Sequence, residues 1–178
     1  MDVPPAQVDN KTVSDIALKR QKQAEKHNQV VGTAKTLIKY FGAENPYVIT
    51  AMLGNIDVET GNSFDYLQKQ GGGGPGRGLF QFDFHKPQYA KYLKRKGLED
   101  SADSQVRYVY DAIYGDEQEF LGFGNAKKLR KLFASSRNAV ELSDGFQNIF
   151  LRPKKTKAHT DRRREASRMY TMAFVPAK

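Results

Sequence analysis

One glutamate stands where a carboxyl group could act as a proton donor. The apolar residues that precede it recur at the spacing of a helix: Ile49, Met52, Leu53 and Ile56. At 100° per residue, the side chain of Glu59 lies roughly 80° from that of Ile49, on the edge of the apolar stripe. Glu59 also falls in the last helical turn, where the helix dipole opposes ionisation. Both conditions favour the protonated carboxyl that general acid catalysis requires.

The sequence after this glutamate changes from helical to glycine-rich. Gly61 supplies a helix stop, and residues 71–78 are mostly glycine. The alternation over Phe80–Phe84 then predicts a short strand that places Gln81 and Asp83 opposite its three phenylalanines. An acid at a helix end that faces a β element across a groove suits a polysaccharide substrate.

The remaining elements needed to position these residues are predicted to be mostly helices. One helix begins at Pro46, with Asn45 as its N-cap. The others are predicted over residues 12–27, 29–41, 86–96, 101–114, 125–134, 138–150 and 160–173. We therefore expect a mainly α (α+β) protein with a small β element in the middle. A polar N-terminal arm or helix over residues 1–28 would precede one domain over residues 29–178.

Composition excludes several kinds of protein. The 178 residues contain no cysteine and three separated histidines, so we expect no disulfide, no metal and no cofactor. No apolar run approaches the roughly 18 residues of a membrane span. The first residues have neither the basic region nor the apolar region of a signal peptide, so none is expected.

Nearly all of the net charge of +9 lies in the second half of the chain. Residues 1–89 carry 10 basic and 9 acidic groups, whereas residues 90–178 carry 19 and 11. The densest basic group is Arg152, Lys154, Lys155, Lys157, Arg162, Arg163, Arg164 and Arg168. Such a field attracts polyanions, which include nucleic acid, anionic cell-envelope polymers and acidic membrane surfaces, and charge alone does not choose among them. The basic group could equally be a solvated helix face.

Two segments carry a resemblance to a known family. Residues Met52–Thr60 and Gly76–Phe82 resemble the phage tail lysozyme family, which is related in layout to goose-type lysozymes and soluble lytic transglycosylases. A third match is formed by Phe146, Phe150, Arg152, Pro153, Arg162 to Arg164 and Ala166. The matches together cover roughly residues 29–173. Departures from the family pattern occur at Thr60, Phe82 and Leu151.

The resemblance implies a lysozyme-like fold and cleavage of the β-1,4 bond between N-acetylmuramic acid and N-acetylglucosamine in peptidoglycan. It implies that Glu59 is the general acid and that its substrate-binding residues are Gln81, Phe82, Asn55 and Gly78. Asn55 lies one turn before Glu59, so its amide either orients the acid or has a capping or packing role.

The sequence does not decide which residue supplies the second catalytic carboxylate. Asp83 is the preferred candidate because it shares the predicted strand face with Gln81, and Asp65 is a weaker one. Asp57 lies about 160° from Glu59 around the helix and is expected to point away. Without a second carboxylate, internal attack by the muramic acid hydroxyl would give an anhydro product, as in lytic transglycosylases.

The sequence leaves two questions open, namely whether the chain is an enzyme and at which stage of phage infection it acts. The chain could be a non-catalytic basic virion or nucleic-acid-binding protein on a lysozyme-like scaffold. As an enzyme, it fits a lysis enzyme that passes from the host cytoplasm to the periplasm, or a virion lysozyme attached to a phage tail or another virion protein. The segment before Gln29 favours the virion slightly, because it could dock to such a partner.

Overall fold

A computed structural model describes residues 10–153 and 156–177 of the chain. Residues 1–9 of the predicted arm, together with Lys154 and Lys155 of the basic group, lie outside them. The helices are α1 (Asn10–Phe41), α2 (Pro46–Glu59), α3 (Lys86–Lys96), α4 (Ala102–Ile113), α5 (Gln118–Leu121), α6 (Phe123–Ser135), α7 (Ala139–Phe146) and α8 (Lys157–Phe174). A short 3₁₀ turn (Gly71–Gly73) precedes α3, and a π-helical turn (Gln147–Leu151) continues α7. The protein is mainly helical, as predicted.

Helix α2 is the centre of the fold. All nine residues from Val48 to Ile56 are buried, because α1, α7 and α8 pack around this helix. Pro46 starts it, as predicted, but Asn45 makes no capping bond. Its amide instead donates to the carbonyl oxygens of Phe133 (2.7 Å) and Ser136 (2.9 Å), which ties the start of α2 to the end of α6.

Helices α2 and α8 run antiparallel and touch closely. The hydroxyls of Thr50 and Thr171 lie 2.8 Å apart. Four residues further along α2, Gly54 meets Ser167, which is four residues earlier in α8. A Cβ atom on Gly54 would lie 2.2 Å from Ser167 Oγ and 2.6 Å from its backbone nitrogen. Only glycine therefore permits this approach.

Helix α1 is one continuous helix, so the prediction of two helices separated near residue 28 is wrong. No glycine or proline interrupts it there. Residues 17–25 are exposed, and burial against the core begins at Val30 and continues with Ala34 and Leu37. The division into a segment over 1–28 and a domain over 29–178 stays a prediction.

A cluster of tyrosines joins α3 to α4. Tyr89, Tyr92 and Tyr108 are buried, with ring centroids 5.2 to 6.5 Å apart. The hydroxyl of Tyr89 donates to Asp100 at 2.7 Å, and that of Tyr92 to Asp111 at 2.8 Å. Each ring thus fills the core while its polar end is satisfied.

The segment between α2 and α3 contains no strand in the part of the chain that the structure describes. Its one β-type pairing is an isolated antiparallel bridge between Lys69 and Arg77. The prediction of a strand over Phe80–Phe84 is wrong, because Gln81 has φ of 45° and turns the chain. Phe80 and Phe82 are both buried in the core. A strand would also have placed both side chains on one face, so their burial does not distinguish a strand from this turn.

The other predicted helices are found, and all except α3 have shifted ends. Helix α3 has the predicted bounds, and Ser101 caps α4 by accepting from the backbone N–H of Ser104. Helix α5 was not predicted, since four residues carry little periodic signal. Among the described residues, no helix has the length and apolar character to span a membrane.

The close approach at Gly54 gives the first prediction. Gly54→Ala should lower the free energy of unfolding by about 1–3 kcal/mol, since the new methyl group would overlap backbone atoms of α8. Urea unfolding measures the change. Gly32→Ala is the matched control, because nothing lies within 4 Å of its Cβ position, and helix propensity should stabilise it by up to about 1 kcal/mol. Equal effects of the two substitutions on the free energy of unfolding would contradict the close approach of α2 and α8 at Gly54.

Candidate active site

Glu59 is the last residue of α2, as predicted, and the chain turns sharply after it. Thr60 fixes that turn, because its hydroxyl donates to the carbonyl oxygen of Ile56 at 2.7 Å and accepts from the backbone N–H of Phe64 at 3.1 Å. Asn62, with φ of 73°, donates its N–H to the carbonyl oxygen of Asp57 at 2.7 Å. The backbone around Glu59 is therefore tightly held.

The crossing of α2 and α8 brings an arginine to this glutamate. Moving one turn beyond the contact between Gly54 and Ser167 leads to Glu59 on α2 and to Arg163 on α8. Arg163 Nη2 donates to Glu59 Oε1 at 2.5 Å. The arginine side chain is 2% exposed and that of the glutamate 13%. The acid is thus part of a buried ion pair, which the sequence did not predict.

Two opposing influences act on the carboxyl group. Burial raises the pKa of Glu59 above its ordinary value, while the charge of Arg163, its hydrogen bond and the charge of His159 act in the opposite direction. Burial is the largest of these effects. The raised pKa makes Glu59 easier to protonate than an exposed glutamate. A buried carboxyl in this state can donate a proton and then return to the ion pair.

A strip of buried polar side chains continues from this pair. Asn55 is fully buried, and its amide nitrogen donates to Ser143 Oγ and to the carbonyl oxygen of Ala51, both at 2.9 Å. Gln147 donates to Thr160 Oγ1 at 3.1 Å. Asn55 therefore connects α2 with α7 and makes no hydrogen bond to Glu59, so the structure favours its packing role.

Gln81 and Gly78 both help to hold the glycine-rich segment. The amide nitrogen of Gln81 donates to the carbonyl oxygens of Gln68 (3.0 Å) and Gly78 (2.9 Å). Gly78 has φ of 84°, and a Cβ atom there would lie 2.4 Å from Gln105 Oε1. Their predicted contacts with substrate stay predictions, whereas their role in shaping this segment is evident from these bonds.

Phe82 lies in the core. Its side chain is 4% exposed, and its ring packs against those of Tyr89 (4.8 Å between centroids), Tyr108 (5.4 Å) and His85 (6.2 Å). In this conformation the ring offers no open face to a sugar, so its predicted stacking role has no support in the geometry.

The candidate second carboxylates differ in their surroundings. Asp57 accepts a hydrogen bond from the hydroxyl of Tyr170 at 2.6 Å and so points away from Glu59, as expected. Asp65 accepts from the backbone N–H of Leu67 at 2.9 Å, within its own turn. Asp83 is exposed, and its carboxylate forms no bond to the described part of the chain. The strand face that was to bring Asp83 beside Gln81 does not exist.

A groove of about 780 Å³ runs beside the end of α2. Its walls come from α1, α2 and α8 and include Val58, Asn62, Arg162, Ala166 and Met169. Glu59 is not among its lining residues, since the carboxyl group is turned toward Arg163. The open groove that was expected to face Glu59 is therefore not this one.

His85 is a buried packing residue. Its Nε2 lies 3.0 Å from the carbonyl oxygen of Phe150 and its Nδ1 lies 3.0 Å from the hydroxyl of Tyr108. Nε2 therefore carries a proton, because a carbonyl oxygen can only accept a hydrogen bond. Burial lowers the pKa of His85 to about 4. No group of three or more histidine or acidic side chains among the described residues could hold a metal ion.

Sequence reasoning missed Arg163 because it grouped this residue with the basic surface. Arg162 and Arg168 are exposed, and Arg164 pairs with Asp144 at 2.8 Å. Only the second arginine of the run 162–164 is buried. A usable signal was the spacing of Arg163, Ser167 and Thr171, which places three polar residues four apart on the face that meets α2.

The comparisons with known proteins give one match. A family model described as phage tail lysozyme matches residues 32–173. The comparison with curated proteins and the comparison with solved structures gave no match.

The buried state of His85 predicts a pH dependence of stability. Its pKa lies near 6.5 in the unfolded chain and about 4 in the folded one, so the stability it contributes is present above pH 6.5 and is lost as the pH falls through 4. The free energy of unfolding from urea titrations should include a loss of about 3 kcal/mol from this group between pH 7 and 4.

His85→Gln should remove that part of the loss, because glutamine does not titrate. His159→Gln, at an exposed position on α8, should retain it. An unchanged pH dependence in the His85 variant would show that folding does not lower the pKa of this ring.

Proposed function

The chain belongs to the phage tail lysozyme family, and from this premise we propose that it cleaves the β-1,4 bond between N-acetylmuramic acid and N-acetylglucosamine with Glu59 as the general acid. Membership of the family supports a lysozyme-like role in degrading peptidoglycan. The observation that carries the assignment of Glu59 is its place at the end of the buried helix α2, where burial raises its pKa.

The proposed reaction begins with proton transfer. The protonated carboxyl of Glu59 gives its proton to the glycosidic oxygen, and the bond from that oxygen to C1 of the muramic acid breaks with its electron pair going to oxygen. N-acetylglucosamine leaves with a new hydroxyl group, and positive charge develops at C1. Arg163 is well placed to stabilise the carboxylate that remains on Glu59, since the two groups are 2.5 Å apart.

The second half of the reaction can follow two routes. Water can attack C1, assisted by a carboxylate on the opposite face of the sugar, which gives hydrolysis. Asp83 is the proposed carboxylate, because it is exposed and its side chain bonds to no residue that the structure describes, whereas Asp57 and Asp65 are already bonded. The second route is internal attack by a hydroxyl of the muramic acid, and it needs no such group. This route stays a second candidate, because Asp57 and Asp65 already accept hydrogen bonds and are poorly placed to assist water.

The exposed basic side chains suit a polyanionic substrate layer. The described members on the surface are Arg152, Lys157, Arg162 and Arg168. Peptidoglycan carries peptide carboxylates, so these charges would hold the enzyme near the wall, and binding should weaken as salt rises. That the enzyme acts either during lysis or during phage entry stays a prediction.

Glu59→Gln tests the proposed acid. The variant should lose at least about a hundredfold in the rate of clearing a peptidoglycan suspension, because glutamine has the same shape but cannot give a proton. The matched control is Asp57→Asn, two residues earlier in the same helix, whose amide oxygen can still accept from Tyr170. That control should keep wild-type activity.

A wild-type protein that binds peptidoglycan or DNA but releases no sugar ends would overturn the enzyme assignment. It would favour the non-catalytic alternative. In that alternative the logarithm of the binding constant falls linearly with the logarithm of the salt concentration, and Glu59→Gln binds as tightly as the wild type. Circular dichroism of each variant verifies that a loss of rate is not a loss of fold.

Asp83→Asn separates the two product routes. If Asp83 assists water, the variant should lose about a hundredfold or more in rate, and the wild type should release muramic acid with a reducing end. Mass spectrometry of digested glycan strands identifies the ends. Anhydro ends in the wild-type digest, with full activity in the variant, would instead support internal attack.

A further inference from the structure

The guanidinium of Arg163 is buried and, within the described residues, has one hydrogen-bond partner. Its Nη2 bonds to Glu59, while its Nε and Nη1 have no hydrogen-bond partner among the described residues. An arginine kept for stability alone would be expected to use its other donors, because unpaired donors in the core cost free energy. The guanidinium instead directs its one bond to the carboxyl of Glu59.

We propose that Arg163 is a positioning residue that holds the Glu59 carboxyl group in place and sets the pH at which this carboxyl changes its protonation state. The catalytic consequence rests on the proposed function of Glu59, but the coupling between the two side chains does not. Arg163 does not contact substrate in this proposal and acts only through Glu59.

The helix pair gives Arg163 little freedom. The contacts of Thr50 with Thr171 and of Gly54 with Ser167 fix the register of α2 against α8. Ser167 also donates its hydroxyl to the carbonyl oxygen of Arg163 at 2.8 Å. A shift of α8 by one residue would remove the arginine from Glu59, so the pairing depends on this close crossing.

The other charged groups nearby are directed elsewhere or act weakly. Asp57, on the same helix as Glu59, is bonded to Tyr170, and Arg164 is bonded to Asp144. His159 lowers the pKa of Glu59 less than Arg163 does. On the side of α7 and the π-helical turn, the buried polar residues are the uncharged Ser143 and Gln147. Arg163 is therefore the main charge opposing the effect of burial.

Arg163→Met tests the proposal, because it removes the charge and keeps most of the buried stem. The rate at low substrate concentration should fall on the alkaline side as Glu59 loses its proton. That alkaline limb should move to higher pH by at least about one unit, since burial then acts without the opposing charge. Arg163→Lys should shift it less. Arg164→Met, the same change at the next residue, should leave the profile unchanged.

A direct titration gives a readout that does not depend on activity. With ¹³C-labelled glutamate, the carboxyl signal of Glu59 is assigned by its absence in Glu59→Gln, and its midpoint should rise in Arg163→Met. In the wild type, the side-chain N–H signals of Arg163 should change with the same midpoint as that carboxyl. This last measurement needs no folded variant.

The outcomes distinguish the two claims. An active wild type whose pH profile and Glu59 titration do not differ from those of Arg163→Met would overturn the role of Arg163 and leave the proposed function intact. Independent midpoints for the two wild-type side chains would overturn it as well. A wild type that is inactive at every pH but shows the shared midpoint would support the coupling and overturn the proposed function.

Discussion

The contact between α2 and α8 is the constraint on which the candidate site depends. Gly54 lets the backbone of α8 approach so closely that Ser167 lies where a larger side chain would have its Cβ. This approach carries Arg163 into the interior, where it meets Glu59 at 2.5 Å. Without it the arginine would stay in solvent with its neighbours, and the glutamate would be a buried acid with no counter-charge. Packing at one glycine thus decides the electrostatics one turn away.

The pair balances two large effects. Taking a carboxylate out of water raises its pKa, and a guanidinium beside it lowers that pKa again. Burial without a counter-charge would keep the carboxyl protonated and make it a weak proton donor. A fully exposed ion pair would instead keep the carboxyl ionised near neutral pH. A glutamate between these limits can be protonated and can still release the proton to a leaving group. In the proposed reaction, Arg163 would also stabilise the carboxylate that this release leaves on Glu59.

How much of this arrangement follows from the sequence depends on how local the signal is. Apolar spacing and Pro46 predict α2, and its end at Glu59 follows from the glycine that comes soon after. The alternation over Phe80–Phe84 misled because period-two spacing does not reveal the backbone, and Gln81 turns the chain with a positive φ. The spacing of Arg163, Ser167 and Thr171 indicates a shared helix face, but it does not identify Glu59 as the partner of Arg163. In a run of three arginines, the one that is buried is decided by a helix that lies about 100 residues away in the chain.

Polar bonds as well as apolar packing hold the end of α2 in the candidate site. Thr60 closes the turn after Glu59 through two hydrogen bonds, and Asn55 joins α2 to α7 one turn earlier. Hydrogen bonds have preferred directions, so they define the orientation of the helix end more narrowly than contacts between aliphatic side chains do. If Glu59 donates a proton to a glycosidic oxygen as proposed, such definition matters, since an error of about 1 Å in placement can cost about a hundredfold in rate. The polar bonds around α2 thus suit the proposed role of Glu59, because they fix the direction in which the helix ends.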